Sequence, residues 1–263
     1  MKLSFLILGY KDTDLVRLCL KNIYSLDIPF EFEVIYVDNP GGANNIEVVE
    51  QNFPQVRLFK NEANIGHPAG NNTGLRVAEG EYILMINPDI IIRDPQELQT
   101  LIDYMDENKE VAFLGPRLHN PDGSIQTSCY RKYSKMTPVY RRTFLGKTAK
   151  GKKDIARHLM TDFDHNETKE VEWLLGACML IRRSAMEEIG LMDEEYFLYF
   201  GDYEWCDRAW NNGWKVMYYH DIDSIFHYHK RESATSRFSL PQVLSYVTRI
   251  HITDWLTYLR KQK

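Results

Sequence analysis

No run in this sequence approaches the roughly 20 apolar residues needed to cross a bilayer. The apolar start at residues 3–8 meets Lys11 and Asp12 at once, with no small-residue cleavage site. A soluble chain, at most peripheral to a membrane, is expected. Cysteine is sparse: Cys19, Cys129, Cys178 and Cys206 are scattered, without a CxxC pair or zinc spacing. That excludes a disulfide scaffold and predicts reduced, structural thiols in the cytoplasm. A cationic excess is lacking as well, since the net charge is -5, which argues against general nucleic-acid binding. No GxGxxG follows a strand, so a dinucleotide-dependent dehydrogenase is disfavoured. Gly9-Tyr10-Lys11-Asp12 is not the Gly-rich basic loop expected of a sugar-activating nucleotidyltransferase. There is no internal repeat and no low-complexity tract. What remains is an ordinary globular composition, 44% hydrophobic and 26% charged over 263 residues, able to bury a full core.

The first half alternates strands and helices. Residues 3–8 form a continuous apolar run ending at Gly9, as in a strand buried on both faces. Leu15, Leu18, Cys19, Ile23 and Leu26 then follow helical spacing. Residues 32–37 read as a second strand stopped by the turn Asp38-Asn39-Pro40-Gly41-Gly42. A short helix over 46–53, a strand over 56–59, a helix over 68–78 and a strand over 82–86 complete the pattern. It predicts an α/β fold with a mostly parallel, Rossmann-like central sheet flanked by helices. The second half is less regular. It predicts strand-like residues 172–181 broken at Gly176, a helix over 202–212 stopped at Gly213, strands over 216–219 and 224–228, and a terminal amphipathic helix from 240. One domain over 1–239 is expected, with a nucleotide-binding half (1–118) and a smaller acceptor-side half (119–239) carrying a basic insertion (129–168). The terminal helix (240–263) follows it.

Such sheets bind ligands beyond the carboxyl ends of their strands. Tyr10, Asp38, Asn64 and the triplet Asn87-Pro88-Asp89 all stand at that edge. Asp89, on the turn after a buried strand, suits a divalent cation held against a diphosphate, although Asn-Pro-Asp is also plain turn chemistry. Asp38 suits the N3–H of a uracil or thymine ring and Tyr10 a stack on it, with an ordinary loop as the alternative. Asp202 lies on the helix face of Cys206 and Ala209, so it points toward the sheet and suits a general base. The alternative is a helix cap. His227 and His229 share one strand face, and either imidazole suits a manganese-type ion.

In order and spacing these features resemble family 2 glycosyltransferases of the GT-A fold, in particular the bacterial rhamnosyltransferase-like branch. The resemblance runs from Leu3 to about Ser233. It rests on Gly9-Tyr10, Val37-Asp38-Asn39, Asn64-Ile65-Gly66 followed by Gly70-Asn71-Asn72, Asn87-Pro88-Asp89, Trp173-Leu174-Leu175-Gly176-Ala177, the block 196–208, and His227. It implies that Asp89 and His227 bind Mg²⁺ or Mn²⁺ at the donor diphosphate, with Asn87 a weaker contact. Gly9, Tyr10, Asp38, Asn64, Gly66 and Asn71 would line the nucleotide-sugar pocket. Asp202 would be the catalytic base of an inverting displacement, and Trp173, Gly176 and Ala177 would face the acceptor. Two departures stand out: Gly201 replaces the glutamate that commonly precedes the base, and His67-Pro68 stands where an aromatic residue is frequent.

The branch implies dTDP-rhamnose as donor, with UDP-sugars the alternative, and a bacterial polysaccharide or lipid-linked saccharide as acceptor. A non-catalytic nucleotide-sugar-binding protein of the same fold is the rival that Gly201 suggests. Residues 131–157 hold ten Lys or Arg against one acid, Asp154. They read either as a solvated, mobile insertion or as a surface for anionic headgroups or a lipid diphosphate at the inner face of the cell membrane. The terminal helix would lie on a membrane, pack on the enzyme body, or join a homodimer.

Overall fold

Strand and helix follow one another in the order the apolar spacing predicts. A computed structural model describes residues 1–228 and 246–261. Its first half runs β1 (Leu3–Gly9), α1 (Thr13–Ser25), β2 (Phe32–Asp38), α2 (Asn45–Asn52), β3 (Arg57–Lys60), α3 (His67–Leu75), β4 (Tyr82–Ile86), β5 (Ile90–Ile92), α4 (Gln96–Glu107) and β6 (Val111–Pro116). There follow β7 (Leu118–His119), β8 (Ile125–Gln126), β9 (Cys129–Tyr130), α5 (Thr137–Arg142), a 3₁₀ turn (Phe144–Lys147) and α6 (Ala149–His158). The chain continues through β10 (Lys169–Glu170), β11 (Trp173–Leu174), β12 (Cys178–Arg182), α7 (Arg183–Ile189), α8 (Gly201–Asn211), β13 (Lys215–Tyr219), β14 (Ile225–His227) and α9 (Tyr246–Lys261). His229, Ser233 and the start predicted for the terminal helix lie outside the described residues.

Eight strands form the central sheet in the order β10-β13-β6-β12-β4-β1-β2-β3. β4, β1, β2 and β3 are parallel, whereas β12 runs antiparallel between β4 and β6. Both faces are covered. Phe5, Ile7, Tyr36 and Leu84 pack toward one core, while Leu6, Ile35, Val37 and Met85 pack toward the other. Period-two alternation between two apolar cores is why these strands read as unbroken apolar runs. Each fully buried Leu or Ile contributes about 1.5–3 kcal/mol, so the sheet is the rigid platform of the molecule.

The parallel strands end in step. Gly9 pairs with Asp38, and Asp38 with Lys60. β5 leaves the main sheet for a smaller one, ordered β5-β14-β7-β8, and its antiparallel register sets His227 against Ile90. The turn 87–89 therefore joins two sheets, and β14 returns beside it. The four cysteines are buried and free, and burial pushes each thiol up.

The basic segment departs from the mobile-insertion reading. It folds into α5, the 3₁₀ turn and α6, and Thr148 caps α6 by accepting from Gly151 N. Residues 96–116, unassigned from spacing, form α4 and β6. No helix among the described residues is long and apolar enough to cross a membrane.

Candidate active site

The nucleotide end is built from backbone turns locked by amide side chains. Asn39 Nδ2 donates to Asn64 Oδ1 at 3.3 Å and to Gly66 O at 2.9 Å, and Asn64 Oδ1 also accepts from Gly66 N at 3.0 Å. Asn61 Nδ2 donates to Asn39 Oδ1 at 2.7 Å. Gly66 has φ +90°, and a Cβ there would meet Phe197 O at 2.4 Å. Only glycine suits both demands. Asp38 is 3% exposed, and its Oδ1 accepts from Tyr36 Oη at 3.1 Å and Asn45 Nδ2 at 3.2 Å. Burial raises its pKa, while Asn45, Tyr36 and Lys60 oppose the shift. Tyr36 reaches it by passing beneath Gly9, whose missing side chain leaves the room. Tyr10 is exposed at the same edge, with Lys11 Nζ 4.9 Å from its ring centre.

Next along the edge, Asp89 meets His227. Their Oδ1 and Nε2 atoms are 3.3 Å apart, and Tyr228 N donates to Asp89 O at 2.8 Å. His227 Nδ1 lies 2.9 Å from Gln126 Oε1. The amide oxygen is an acceptor, so Nδ1 carries a proton, and Nε2 faces Asp89. Asp89 Oδ1 is buried without a hydrogen-bond partner among the described residues. A carboxylate oxygen and an imidazole nitrogen at this distance are joined by a proton or a cation between them. The donor set, one carboxylate oxygen and one imidazole, fits a divalent metal of the Mg²⁺ or Mn²⁺ class. No group of three or more His, Cys, Asp or Glu that could hold a metal exists among the described residues.

Asp202 is the second residue of α8 and not its cap, a position Phe200 occupies. Its Oδ2 accepts from Gly176 N at 3.1 Å and its Oδ1 from Tyr203 N at 2.9 Å. Burial raises its pKa, and these backbone donors restrain the shift. One residue on, Ala177 O accepts from Asn87 N at 2.9 Å. The dipeptide Gly176-Ala177 thus ties the Asp202-bearing helix to the Asn87-Pro88-Asp89 turn. His67 completes the floor: its Cε1 and Asp202 Oδ2 lie 3.6 and 3.5 Å from where a Gly176 Cβ would sit. Burial pushes His67 down to about 4. Asn71 Nδ2 donates to His67 O at 3.0 Å and lies 3.2 Å from its Nε2, so the ring is neutral with its proton on Nδ1.

Two of the predicted site residues are buried in the protein's own packing. Asn71 is buried, with its Nδ2 against His67 O and Nε2. Trp173 is 4% exposed, donates to Arg131 O and stacks on Tyr130 at 4.3 Å. Gln126 and Tyr36 escaped sequence reasoning, and Asn39 entered it only as part of the turn after β2. Gln126 sits on a two-residue strand with no motif around it, and only β14 pairing brings His227 to it.

Residues 4–190 match the family model of glycosyl transferase family 2, about seven-tenths of the chain. The chain belongs to glycosyl transferase family 2. It is 27% identical over 205 residues to the N-acetylglucosaminyl-diphospho-decaprenol L-rhamnosyltransferase of Mycobacterium tuberculosis, covering 74% of this chain and 66% of that protein. It is 29% identical over 184 residues to rhamnosyltransferase WbbL of Escherichia coli K12, covering 67% and 65%. This family-2 chain thus spans just under two thirds of the length of those relatives. Among solved structures, it is similar to Staphylococcus aureus TarS 1-349 in complex with UDP-GlcNAc, with TM-score 0.59, 17% identity and coverage of 97% and 66%. It is also similar to the mannosyltransferase PcManGT from Pyrobaculum calidifontis in complex with GDP-Man and Mn²⁺, with TM-score 0.58, 17% identity and coverage of 89% and 59%. The expected GT-A fold is therefore the fold of this family-2 chain.

Proposed function

We propose that this glycosyltransferase transfers a sugar, with rhamnose from dTDP-rhamnose the preferred donor, to a hydroxyl of a bacterial cell-surface polysaccharide or lipid-linked precursor, with inversion. The observation that carries the reading is the Gly176-Ala177 bridge, which sets the Asp202 carboxylate beside the Asn87-Pro88-Asp89 turn. Rhamnosyltransferase relatives support the sugar.

Asp38 and Tyr10 hold the pyrimidine, and the Asn39–Asn64–Gly66 lattice shapes the wall around it. Asp89 and His227 would hold Mg²⁺ or Mn²⁺, and the cation would supply charge stabilisation for the leaving diphosphate. Asp202 takes the proton of the acceptor hydroxyl as that oxygen bonds to the anomeric carbon. The bond from that carbon to the diphosphate breaks, and the nucleoside diphosphate leaves with its electron pair. One displacement inverts the centre. A carboxyl raised by burial is a stronger base than an exposed one, which suits the task. His67, neutral and across Gly176 from Asp202, offers its Nδ1–H to the bound sugars without adding charge.

The acceptor-side surface suits a peripheral position at the cytoplasmic face of a membrane. Phe144 is 77% exposed beside Arg141, Arg142 and Lys147, and α9 exposes Ile252 and Leu256. That combination favours anionic headgroups. A homodimer through α9 is the competing use of that face.

A thermal-shift panel of nucleotide-sugars with Mn²⁺ or Mg²⁺, followed by product detection on the stabilising donors, tests the reading. dTDP-rhamnose should raise Tm most and be turned over. Stabilisation by UDP-sugars alone would move the donor assignment, and binding without turnover on any saccharide acceptor would favour a non-catalytic binder.

A further inference from the structure

The loop between α7 and α8 carries a bend whose backbone donors have no strand or helix to satisfy them. Asp254, on α9 and 1% exposed, collects three of them: Oδ1 accepts from Phe197 N at 3.0 Å, and Oδ2 accepts from Leu198 N at 3.0 Å and Tyr199 N at 2.8 Å. One helical turn on, Tyr258 stacks on Phe200 with centroids 5.2 Å apart. Phe200 holds a left-handed φ of 67° and directly precedes Gly201-Asp202. The same bend faces the donor loop, because Phe197 O accepts from His67 N at 2.6 Å and packs on Gly66. One short segment therefore touches the C-terminal helix, the donor loop and the base.

We propose that Asp254 is a positioning residue for sugar transfer, its carboxylate fixing the 197–200 bend that aims Asp202 and seats the Gly66-His67 loop. A residue in left-handed backbone persists only where its surroundings over-determine it. Three amides on one carboxylate, with an aromatic stack at the next turn, supply that determination. Asparagine cannot replace the aspartate, since it offers one acceptor oxygen and turns an NH₂ toward an amide N–H. α9 thereby becomes part of the working site although none of its residues touches substrate. The inference rests on the transfer reading for its kinetic arm and on geometry alone for its exchange arm.

The test compares Asp254→Asn with Lys261→Ala in the full chain. Lys261 pairs with Asp193 and Glu195, so its removal loosens α9 without touching the loop amides. For Asp254→Asn, kcat should fall about tenfold or more, as small misplacements of catalytic groups do. Calorimetric affinity for dTDP or UDP with Mn²⁺ should stay within about threefold, because Asn39 and Asn64 hold Gly66 independently of the bend. Hydrogen exchange at amides 197–199 should quicken in this variant and not in Lys261→Ala, whose kcat should stay near wild type. Equal losses of kcat in both variants, or wild-type kcat and unchanged exchange in Asp254→Asn, overturn the proposal. Should Asp254→Asn fail to fold, Asp254→Glu carries the test: a displaced carboxylate must lower kcat with nucleotide affinity kept, and wild-type kcat there overturns it equally. If no donor is turned over by the wild type while the exchange difference holds, the transfer reading fails and the clamp stands.

Discussion

Pro68 Cγ lies 2.6 Å from the position a Cβ would take on Gly201. The two departures from the family pattern are therefore one packing event: the proline at the start of α3 fills the space of a side chain at the start of α8. A rigid ring cannot swing aside as a lysine tip can. The absent glutamate is thus explained by sterics, and Asp202 keeps its backbone donors without it.

Gly201→Ala should destabilise the protein by about 1–3 kcal/mol through overpacking, against the helix propensity gain of alanine. Pro68→Ala should remove most of that penalty when the two are combined. Urea unfolding of the singles and the double measures the coupling. A Gly201→Ala protein more stable than wild type would contradict the contact.

Asp202→Asn should abolish transfer while nucleoside diphosphate binding stays nearly intact, since Asp202 lies on the acceptor side of the Gly176-Ala177 bridge. In the wild type, burial raises the Asp202 pKa. The acid limb of the kcat/KM profile should accordingly lie above the usual aspartate value, with activity lost as pH falls through it. An unchanged turnover in the variant removes Asp202 as the base.

Asp89→Ala and His227→Ala should each erase the Mn²⁺ dependence of nucleoside diphosphate binding. Gln126→Leu should weaken it by about 10- to 100-fold, as loss of a hydrogen bond to a ligating imidazole does. Isothermal calorimetry with and without Mn²⁺ reads all three. Equal wild-type affinity in the two conditions would end the metal assignment.

His158 is 0% exposed, and burial, then the Arg141 charge, push it down from 6.5 to about 4. The unfolded chain binds a proton at higher pH than the folded one, so stability rises with pH across this window. The contribution is complete above about pH 6.5 and is lost as pH falls toward 4. His67 and His251, also pushed to about 4 by burial, act in the same sense. Tm should therefore drop steeply on acidification between these values, and His158→Phe should flatten that slope whatever its effect on Tm at neutral pH. A parallel Tm–pH curve for the variant would refute the assignment.

Local spacing determined the parallel half of this protein. Residues 82–86 form β4 as the apolar run predicts, because a strand buried on both faces leaves no polar position. Turn chemistry determined the edge where Asp38 and Asn87-Pro88-Asp89 stand, since those residues must lie where strands stop. The basic segment was legible in charge and not in shape. α5 and α6 owe their place to packing around Tyr133, His158 and Trp173, contacts between residues up to 42 positions apart. Only the tertiary structure brought Gln126 to His227, Pro68 to Gly201 and Asp254 to the loop before Asp202. None of these pairs has a sequence period, because each is made by elements from different parts of the chain meeting over a common core. A hydrogen bond across 101 residues, as between Gln126 and His227, is written in no local pattern and exists only once the sheets have closed.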